Sequence, residues 1–310
     1  MPVQVHDGPL PRTTVAHVRA IARTAAEHDG VAPLGEQALL DLNDPRAPVV
    51  HLTVGEPAEA YAWLDLRAYP TAELVVAPAA RRRGLGGALL AAVQATAAQA
   101  AAAAAQVTPP DAPPDPEHGP FLVWAHGDLP AARALAARTG LTVQRELWQL
   151  ARDLPPTQPV PPPPAVPDGV VVRPFVVGKD DDAWLAVNAR AFAEHPEQGR
   201  MTAADLSARQ HEPWFRADDL LLAEHDGRLL AFAWMKVEPG DDTGELYVIG
   251  VDPAAQGSGL GRFLTALTLD HLAARGLRRA LLYTEATNAA AVRTYAAAGF
   301  RRSRTDVQYG

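Results

Sequence analysis

The segment Val251-Asp-Pro-Ala-Ala-Gln-Gly-Ser-Gly-Leu-Gly261 has a counterpart in the other half of the chain, Val76-Ala-Pro-Ala-Ala-Arg-Arg-Arg-Gly-Leu-Gly86. The two segments align without a gap at a constant offset of 175 residues. In both halves an apolar run precedes the segment and a helical pattern follows it, which predicts a strand, a loop and a helix. The repeat therefore indicates two domains of the same fold.

Further elements recur beyond the two loops. Apolar runs at 121–125 and 280–284 are followed by helical patterns at 131–138 and 288–298. In the second half, Asp226-Gly227 separates two apolar runs and predicts a two-residue hairpin of type I′. Strands before and after helices in each half predict an α/β fold that occurs twice, each copy a mixed, mostly antiparallel central sheet flanked by helices.

Proline-rich sequence divides the chain near its middle. Residues 155–167 predict an extended polyproline II spacer, because proline has no amide donor and a fixed φ. We therefore expect an N-terminal domain at 1–154, a linker at 155–167 and a C-terminal domain at 168–310. A second biased stretch, 98–120, begins as polyalanine and becomes proline-rich, which predicts a helix longer than its packed part and then a surface loop.

Composition restricts the class of protein. A length of 310 residues suits two domains, and the formal net charge of −8 disfavours a nucleic-acid-binding surface. The chain has no cysteine, which excludes disulfides, thiolate metal sites and a cysteine acyl-enzyme. The N-terminus lacks the pattern of a signal peptide, and no apolar run reaches the roughly 20 residues of a membrane span. We therefore expect a cytoplasmic protein that binds neither membranes nor nucleic acid.

The two glycine loops have the properties of anion sites. Successive backbone N–H groups and the positive N-terminal end of a helix attract a diphosphate, and glycines allow its close approach. Neither loop ends in Gly-Lys-Ser/Thr, so a nucleotide-hydrolysing P-loop is not supported. A dinucleotide fold would need an acidic residue about 20 positions further on, and neither half places one there convincingly.

The pattern Arg/Gln-x-x-Gly-x-Gly after an apolar strand resembles the acetyl-CoA loop of the GCN5-related N-acetyltransferase (GNAT) superfamily. The resemblance to one branch of that superfamily continues through four further segments: Gly30–Gln37, Phe192–Gly199, Gly244–Gln256 and Leu281–Tyr295. That branch acetylates the cysteinyl amine of the pseudo-disaccharide Cys-GlcN-inositol. The resemblance thus implies two tandem GNAT domains, acetyl-CoA as donor, a small polar amine as substrate, direct transfer without a metal, and a monomer.

Direct amide formation needs a base for the amine, donors for the thioester oxygen and an acid for the departing thiolate. The resemblance implies that Glu245 is the general base and Tyr295 the general acid. By the period of two residues, Glu245 should lie on the same face of its strand as Tyr247 and Ile249. Two structural roles remain open: a solvated strand end for Glu245, and a core aromatic packed against Phe300 for Tyr295.

The N-terminal half lacks residues of this kind. The ungapped loop alignment places Pro70 opposite Glu245, and two helix alignments place Ala136 or Leu135 opposite Tyr295. None of the three can carry a proton to or from the reacting groups. We therefore expect a catalytic C-terminal domain, and an N-terminal domain that can hold acetyl-CoA without using it.

By the same resemblance, five residues contact the substrate: Glu36, Glu197, Lys236, Glu245 and Tyr283. The residues expected to bind acetyl-CoA lie around both loops: Leu74, Val75, Val76, Arg82, Arg83, Gly84, Leu85, Gly86 and Gly87 in the first half, and Ile249, Gly250, Val251, Gln256, Gly257, Ser258, Gly259, Leu260, Gly261, Arg262, Asn288, Ala289, Ala290, Ala291, Val292 and Arg293 in the second. Because Glu36 comes from the first domain, the substrate is expected between the halves. Without the resemblance, Glu36 would be interpreted as an acid in the first turn of a helix.

One departure from the family pattern concerns the second loop. The family usually has basic residues after Gln256, whereas this chain has Gly257 and Ser258. The backbone cradle is unaffected, but side-chain charge at the diphosphate is lost. In the first loop, residues 81–83 are three arginines that could meet phosphates or form a solvated charge run. Two other functions stay open: a tandem GNAT enzyme for another small amine, and a non-catalytic acyl-CoA sensor.

Overall fold

The computed structural model describes residues 2–67, 69–105, 121–156, 165, 168–193 and 198–310. Most of the predicted linker and the predicted loop beyond residue 105 lie outside these ranges. The strands of the described residues are β1 (Val3–His6), β2 (Val49–Val54), β3 (Ala60–Asp65), β4 (Thr71–Val76), β5 (Leu122–Ala125), β6 (Val143–Asp153), β7 (Val170–Pro174), β8 (Leu220–His225), β9 (Arg228–Lys236), β10 (Thr243–Val251), β11 (Arg279–Glu285) and β12 (Arg301–Tyr309). The helices are α1 (Arg12–Asp29), α2 (Glu36–Asp41), α3 (Leu85–Ala105), α4 (Pro130–Thr139), α5 (Asp181–Ala191), α6 (Ala203–Gln210), α7 (Leu260–Ala274) and α8 (Ala289–Ala297).

The chain forms two compact units that exchange their last strands. The first unit comprises Met1–Glu146 and Thr305–Gly310, and the second comprises Leu147–Arg304. Most of β6 therefore belongs to the second unit, whereas the end of β12 completes the first. A division at the linker follows the order of the sequence repeat, which does not reveal where each closing strand packs.

In the first unit the strand order is β1-β2-β3-β4-β5-β12. Neighbours are antiparallel except for the parallel pair β4 and β5. Helices α3 and α4 cover one face of the sheet, and α1 and α2 cover the other. Strand β3 shows how: Ala62 and Leu64 point into the α3 core, while Tyr61 and Trp63 point into the α1 core, as the two-residue period requires.

The second unit repeats this architecture with the strand order β6-β11-β10-β9-β8-β7 and one parallel pair, β10 and β11. Helix α7 packs on one face, and α5 and α6 pack on the other around Trp184, Trp214 and Trp234. Asp226 and Gly227 both have positive φ, 51° and 73°, so the predicted type I′ hairpin between β8 and β9 is confirmed. The predicted α/β class, with two mixed and mostly antiparallel sheets flanked by helices, is also confirmed.

Helix α3 is longer than its packed part. Its buried residues end at Ala97, and the described side chains after that point are exposed or half-buried, which confirms the predicted overrun. By length and composition alone, Leu85–Ala103 is long and apolar enough to cross a membrane, which corrects our expectation that no run reaches that length. Its leucines and valine contact the sheet of the first unit, and alanine supplies the remaining hydropathy.

Candidate active site

The second glycine loop connects β10 to α7. Pro253–Ala255 forms a short 3₁₀ turn, and Gly259, with φ of 90°, immediately precedes the helix. The first turn of α7 contains no acidic residue and no side-chain cap. Its backbone N–H groups are thus left for an anion, in the arrangement that the sequence predicted for a diphosphate. The loop side chains Gln256 and Ser258 are exposed.

A buried carboxylate braces this loop. Asp252 is 2% exposed, and its Oδ1 accepts the N–H of Ala254 at 3.0 Å. Its Oδ2 accepts from Arg190 Nε at 2.9 Å and Nη2 at 2.7 Å. The backbone hydrogen bond and Arg190 lower the pKa of Asp252 below its ordinary value. The sequence analysis did not single out Asp252, although its position directly before Pro253 in the loop was a usable signal.

The two loops share one backbone conformation. Gly84 and Gly259 have φ of 82° and 90°, and the pair Arg82 and Gly257 has φ of 64° and 79°. A non-glycine residue in the left-handed region costs roughly 1–2 kcal/mol, so Arg82 carries a strain that Gly257 avoids. At the second loop, Gly257 thus gives an unstrained backbone but supplies no cationic side chain, whereas Arg82 of the first loop does the opposite.

Side-chain charge in the first loop is largely engaged within the protein. Arg81 donates to both carboxylate oxygens of Asp29, at 2.8 and 2.6 Å, and this pairing raises the pKa of the guanidinium. Arg83 donates to Glu59 at 2.8 Å, whereas Arg82 is exposed. Of three arginines that could have faced phosphates, two thus have carboxylate partners in this structure.

Strand β10 carries a β-bulge where the site begins. Leu246 pairs with Met235 of β9, and the next pair is Val248 with Trp234, so Tyr247 is an extra residue. As a result Tyr247 and Val248 both contact the core on the α5 and α6 face.

The bulge changes which residues share a face. Ile249 contacts the α7 core, so the expectation that Glu245, Tyr247 and Ile249 lie on one face is wrong for Ile249. The extra residue Tyr247 reverses which face of the sheet each following side chain of β10 occupies. A strict two-residue period does not predict such a reversal.

Strands β10 and β11 separate next to the bulge at Tyr247. Parallel pairing of β10 with β11 runs from Thr243 to Leu246, and β11 continues to Glu285 beside β6. Glu245 lies one residue before the parting, half-buried, with Lys236 of β9 as its cross-strand partner. The structure thus brings Glu245 and Lys236, two of the predicted substrate residues, onto neighbouring strands.

Tyr295 lies on α8, on the α7 side of the sheet. Its ring meets that of Phe300 edge to face, with centroids 6.0 Å apart, so the predicted packing role is present. Burial raises the pKa of Tyr295 to about 12, and the phenol therefore stays protonated at neutral pH, as a general acid must. Asn288 caps α8 by accepting the N–H of Ala291 at 3.0 Å.

The other predicted substrate residues are placed as follows. Tyr283 of β11 is 40% exposed, and its hydroxyl accepts a hydrogen bond from Gln149 Nε2 at 2.8 Å. Glu36 is the first residue of α2 in the first unit, half-buried, and is therefore also the first-turn acid of the alternative interpretation. Glu197 lies outside the described residues.

The first unit has no proton carrier at the equivalent positions. Judged by the strand pairs, Thr71 occupies the place of Glu245, one pair before the parallel strands part. The ungapped alignment put Pro70 there, and the extra bulge residue of β10 explains the difference, because the pairing of β4 with β3 is regular. On α4, Ala136 is buried in the core.

Instead, the first unit holds a buried charged cluster that the sequence analysis missed. His126 Nε2 lies 3.2 Å from Glu73 Oε1, and its Nδ1 lies 3.1 Å from Asp306 Oδ2. Glu73 Oε2 also accepts the N–H of Gly35, the residue before α2, at 2.6 Å. Burial alone would lower the pKa of His126, but the charge of Glu73 and the hydrogen bond to Asp306 raise it to about 10. No group of three residues suited to a metal ion was found in the described part of the chain.

Comparison with known proteins agrees with this fold. Residues 184–300 match the acetyltransferase (GNAT) family model. The chain is 53% identical to a mycothiol acetyltransferase of Cellulomonas flavigena, over 98% of this chain and 87% of that protein. It is 48% identical to a mycothiol acetyltransferase of Thermomonospora curvata, over 95% and 93%.

Solved structures share the architecture at lower identity. A tandem GNAT protein from the clavulanic acid biosynthesis pathway superposes with a TM-score of 0.68, at 18% identity over 99% of this chain and 97% of that chain. A GCN5-related N-acetyltransferase from Sphaerobacter thermophilus gives 0.67, at 23% identity over 99% and 94%. These likenesses support the fold alone.

Two GNAT sheets, each with a glycine cradle opening a helix, define an acetyl-CoA-dependent N-acetyltransferase of the tandem GNAT class. Within that class the chain belongs to the mycothiol acetyltransferase family, as its identity to relatives over nearly the whole length shows. Its activity is accordingly that of an acetyltransferase in mycothiol synthesis.

Proposed function

We propose that this protein transfers the acetyl group of acetyl-CoA directly to the cysteinyl amine of Cys-GlcN-inositol, in a ternary complex, and releases mycothiol and CoA. The observation that carries the proposal is that a carboxylate, Glu245, lies on β10 one residue before its pairing with β11 ends, and that a phenol, Tyr295, lies on α8, the helix that follows β11. The uncapped cradle at the start of α7 lies on the same strand–loop–helix unit.

In this mechanism, acetyl-CoA supplies an activated thioester, and the protein supplies positioning and proton transfer. Backbone N–H groups from Gly257 to Gly261 hold the diphosphate. Backbone N–H groups of β10 beyond Leu246, on the edge that β11 has left, donate to the thioester oxygen. Direct attack needs no enzyme nucleophile, in keeping with a chain that has no cysteine.

Two side chains move the protons. Glu245 takes a proton from the substrate ammonium, directly or through water, so that the neutral amine can attack the thioester carbonyl; the pKa of such an amine is about 8. Tyr295 gives its proton to the departing thiolate, and its aromatic packing against Phe300 fixes the direction of the hydroxyl. Lys236 and Tyr283 of the second unit contact the hydroxyl-rich part of the substrate.

The first unit has a different part in the proposal. Its loop has the same backbone conformation as the catalytic loop and can hold acetyl-CoA. Thr71 and Ala136 supply neither a base nor an acid, so acetyl transfer takes place in the second unit alone.

The test is product analysis by mass spectrometry after incubation with acetyl-CoA and a panel of amines. Cys-GlcN-inositol should be acetylated with one free CoA released per product. Glu245→Gln should lower kcat by about 100-fold or more, the lower range for loss of a general base. Glu27→Gln, an exposed carboxyl of α1, is the matched control. If another amine is acetylated in preference to Cys-GlcN-inositol, the substrate assignment is wrong. If acetyl-CoA binds tightly but no amine is acetylated, the protein is better explained as an acyl-CoA sensor.

A further inference from the structure

Lys236, the cross-strand partner of Glu245, is one of only two lysines in the chain. The chain contains 26 arginines but two lysines, Lys179 and Lys236. Lys179 is exposed in the turn before α5, whereas the side chain of Lys236, the last residue of β9, is 15% exposed. A lysine provides a compact point charge rather than the planar fork of an arginine. Because arginine is the usual cation of this chain, a half-buried lysine indicates that this position requires an ammonium group.

Aromatic faces enclose that ammonium. Lys236 Nζ lies 4.9 Å from the centre of the Trp214 ring and 5.8 Å from the centre of the Tyr247 ring. The centroids of the two rings are 5.4 Å apart. Both distances from Nζ are within the range of cation–π attraction. On its outer side, Nζ lies 3.2 Å from Glu238 Oε1.

The guanidinium of Arg209 holds the Tyr247 ring in position through a hydrogen bond to its hydroxyl. Arg209 of α6 is 8% exposed, and its Nε donates to Tyr247 Oη at 2.8 Å. Its Nη1 donates to the carbonyl of Asp205, which ties the guanidinium to its own helix. Tyr247 is the extra residue of the β10 bulge, and a bulge turns a side chain away from the regular direction of the strand.

We propose that Arg209 and Tyr247 are positioning residues that act through Lys236. Arg209 fixes the phenol of Tyr247, and the Tyr247 and Trp214 rings hold the Lys236 ammonium beside Glu245. The catalytic consequence rests on the proposed function: a fixed Lys236 orients the hydroxyl-rich amine substrate next to its base. Substitution of either positioning residue should therefore lower kcat/KM for the amine and leave KM for acetyl-CoA unchanged.

The first measurement reports the position of Lys236 without any enzyme activity. In protein labelled with [6-¹³C]lysine, two resonances are expected, and ring currents should move that of Lys236 upfield of Lys179. Arg209→Met and Tyr247→Phe should each shift the Lys236 signal towards the Lys179 position. The double variant should move it no further, because both act on one contact. Arg278→Met, an exposed arginine before β11, should leave it unmoved.

The second measurement follows kinetics in the same variants. Each single variant should lower kcat/KM for the amine by about tenfold, the value of one hydrogen bond to a charged group. The double variant should show nearly the same loss as either single variant, with KM for acetyl-CoA unchanged. Thermal unfolding of each variant identifies losses that come from unfolding alone.

The outcomes separate this inference from the proposed function. A Lys236 resonance unaffected by both substitutions, or additive losses in the double variant, overturns the positioning role. If the wild-type protein does not acetylate Cys-GlcN-inositol, the proposed function fails, while the lysine resonances still decide whether Arg209 and Tyr247 hold Lys236.

Discussion

The cluster of Glu73, His126 and Asp306 makes the stability of the first unit depend on pH. The folded pKa of His126 is about 10, above the ordinary value of 6.5, so the folded state holds the proton more tightly than the unfolded state. The stabilisation is therefore fully present below pH ~6.5 and is lost as pH rises through about 10. From the two pKa values, the contribution to the free energy of unfolding is about 4 kcal/mol at pH 7 and only about 1 kcal/mol at pH 9.

The substitution His126→Gln tests this magnitude. It keeps a polar side chain but removes the cation from two carboxylates, a loss of about 3–5 kcal/mol for a buried pair at neutral pH. Urea unfolding followed by circular dichroism should show a difference in unfolding free energy between wild type and variant that narrows by roughly 2–3 kcal/mol from pH 7 to pH 9. Amide hydrogen exchange of β4 and β5 assigns the change to the first unit.

The control is His211→Gln, an exposed histidine whose Nδ1 lies 2.7 Å from the Ser207 carbonyl in the second unit. It should change neither the stability nor its pH dependence by more than about 0.5 kcal/mol. A gap between wild type and His126→Gln that stays constant from pH 7 to pH 9 would refute the assignment of a charged imidazole.

Three further predictions concern the second unit. Tyr295→Phe should lower kcat by about 100-fold in a coupled CoA-release assay while the melting temperature changes little, since the ring contact with Phe300 is kept. Gly257→Arg should tighten acetyl-CoA binding about two- to fivefold by calorimetry. It should cost about 1 kcal/mol of unfolding free energy, because φ at this position is 79°. Asp252→Asn should destabilise the protein by about 1–3 kcal/mol at pH 7. Because the folded pKa of that carboxyl is lowered, the difference in unfolding free energy should begin to shrink as pH falls below the ordinary value of 3.8, and it should vanish only below the lowered folded pKa.

Local sequence signals were sufficient for the strands and helices, but not for the packing of the closing strands β6 and β12. The repeated loop places glycine where φ is positive, at Gly84 and Gly259, and glycine adopts that conformation without strain. Asp226-Gly227 determined a hairpin by the same chemistry. The strands and their flanking helices follow from short-range periodicity, which depends on residues within one turn or one strand. The functional residues came from the family resemblance, and the roles of Glu245 and Tyr295 remain predictions.

What the sequence determined by itself is thus the duplicated α/β fold and the loop conformation. Tertiary structure alone decided that β10 is bulged at Tyr247, which moves Ile249 to the other face and makes Thr71 the counterpart of Glu245. It also decided that His126 meets Asp306, 180 residues away in sequence. The physical reason is the same in both cases. A bulge exists only relative to a partner strand, and a buried ion pair depends on which distant strands fold together, so neither leaves a periodic trace in the chain.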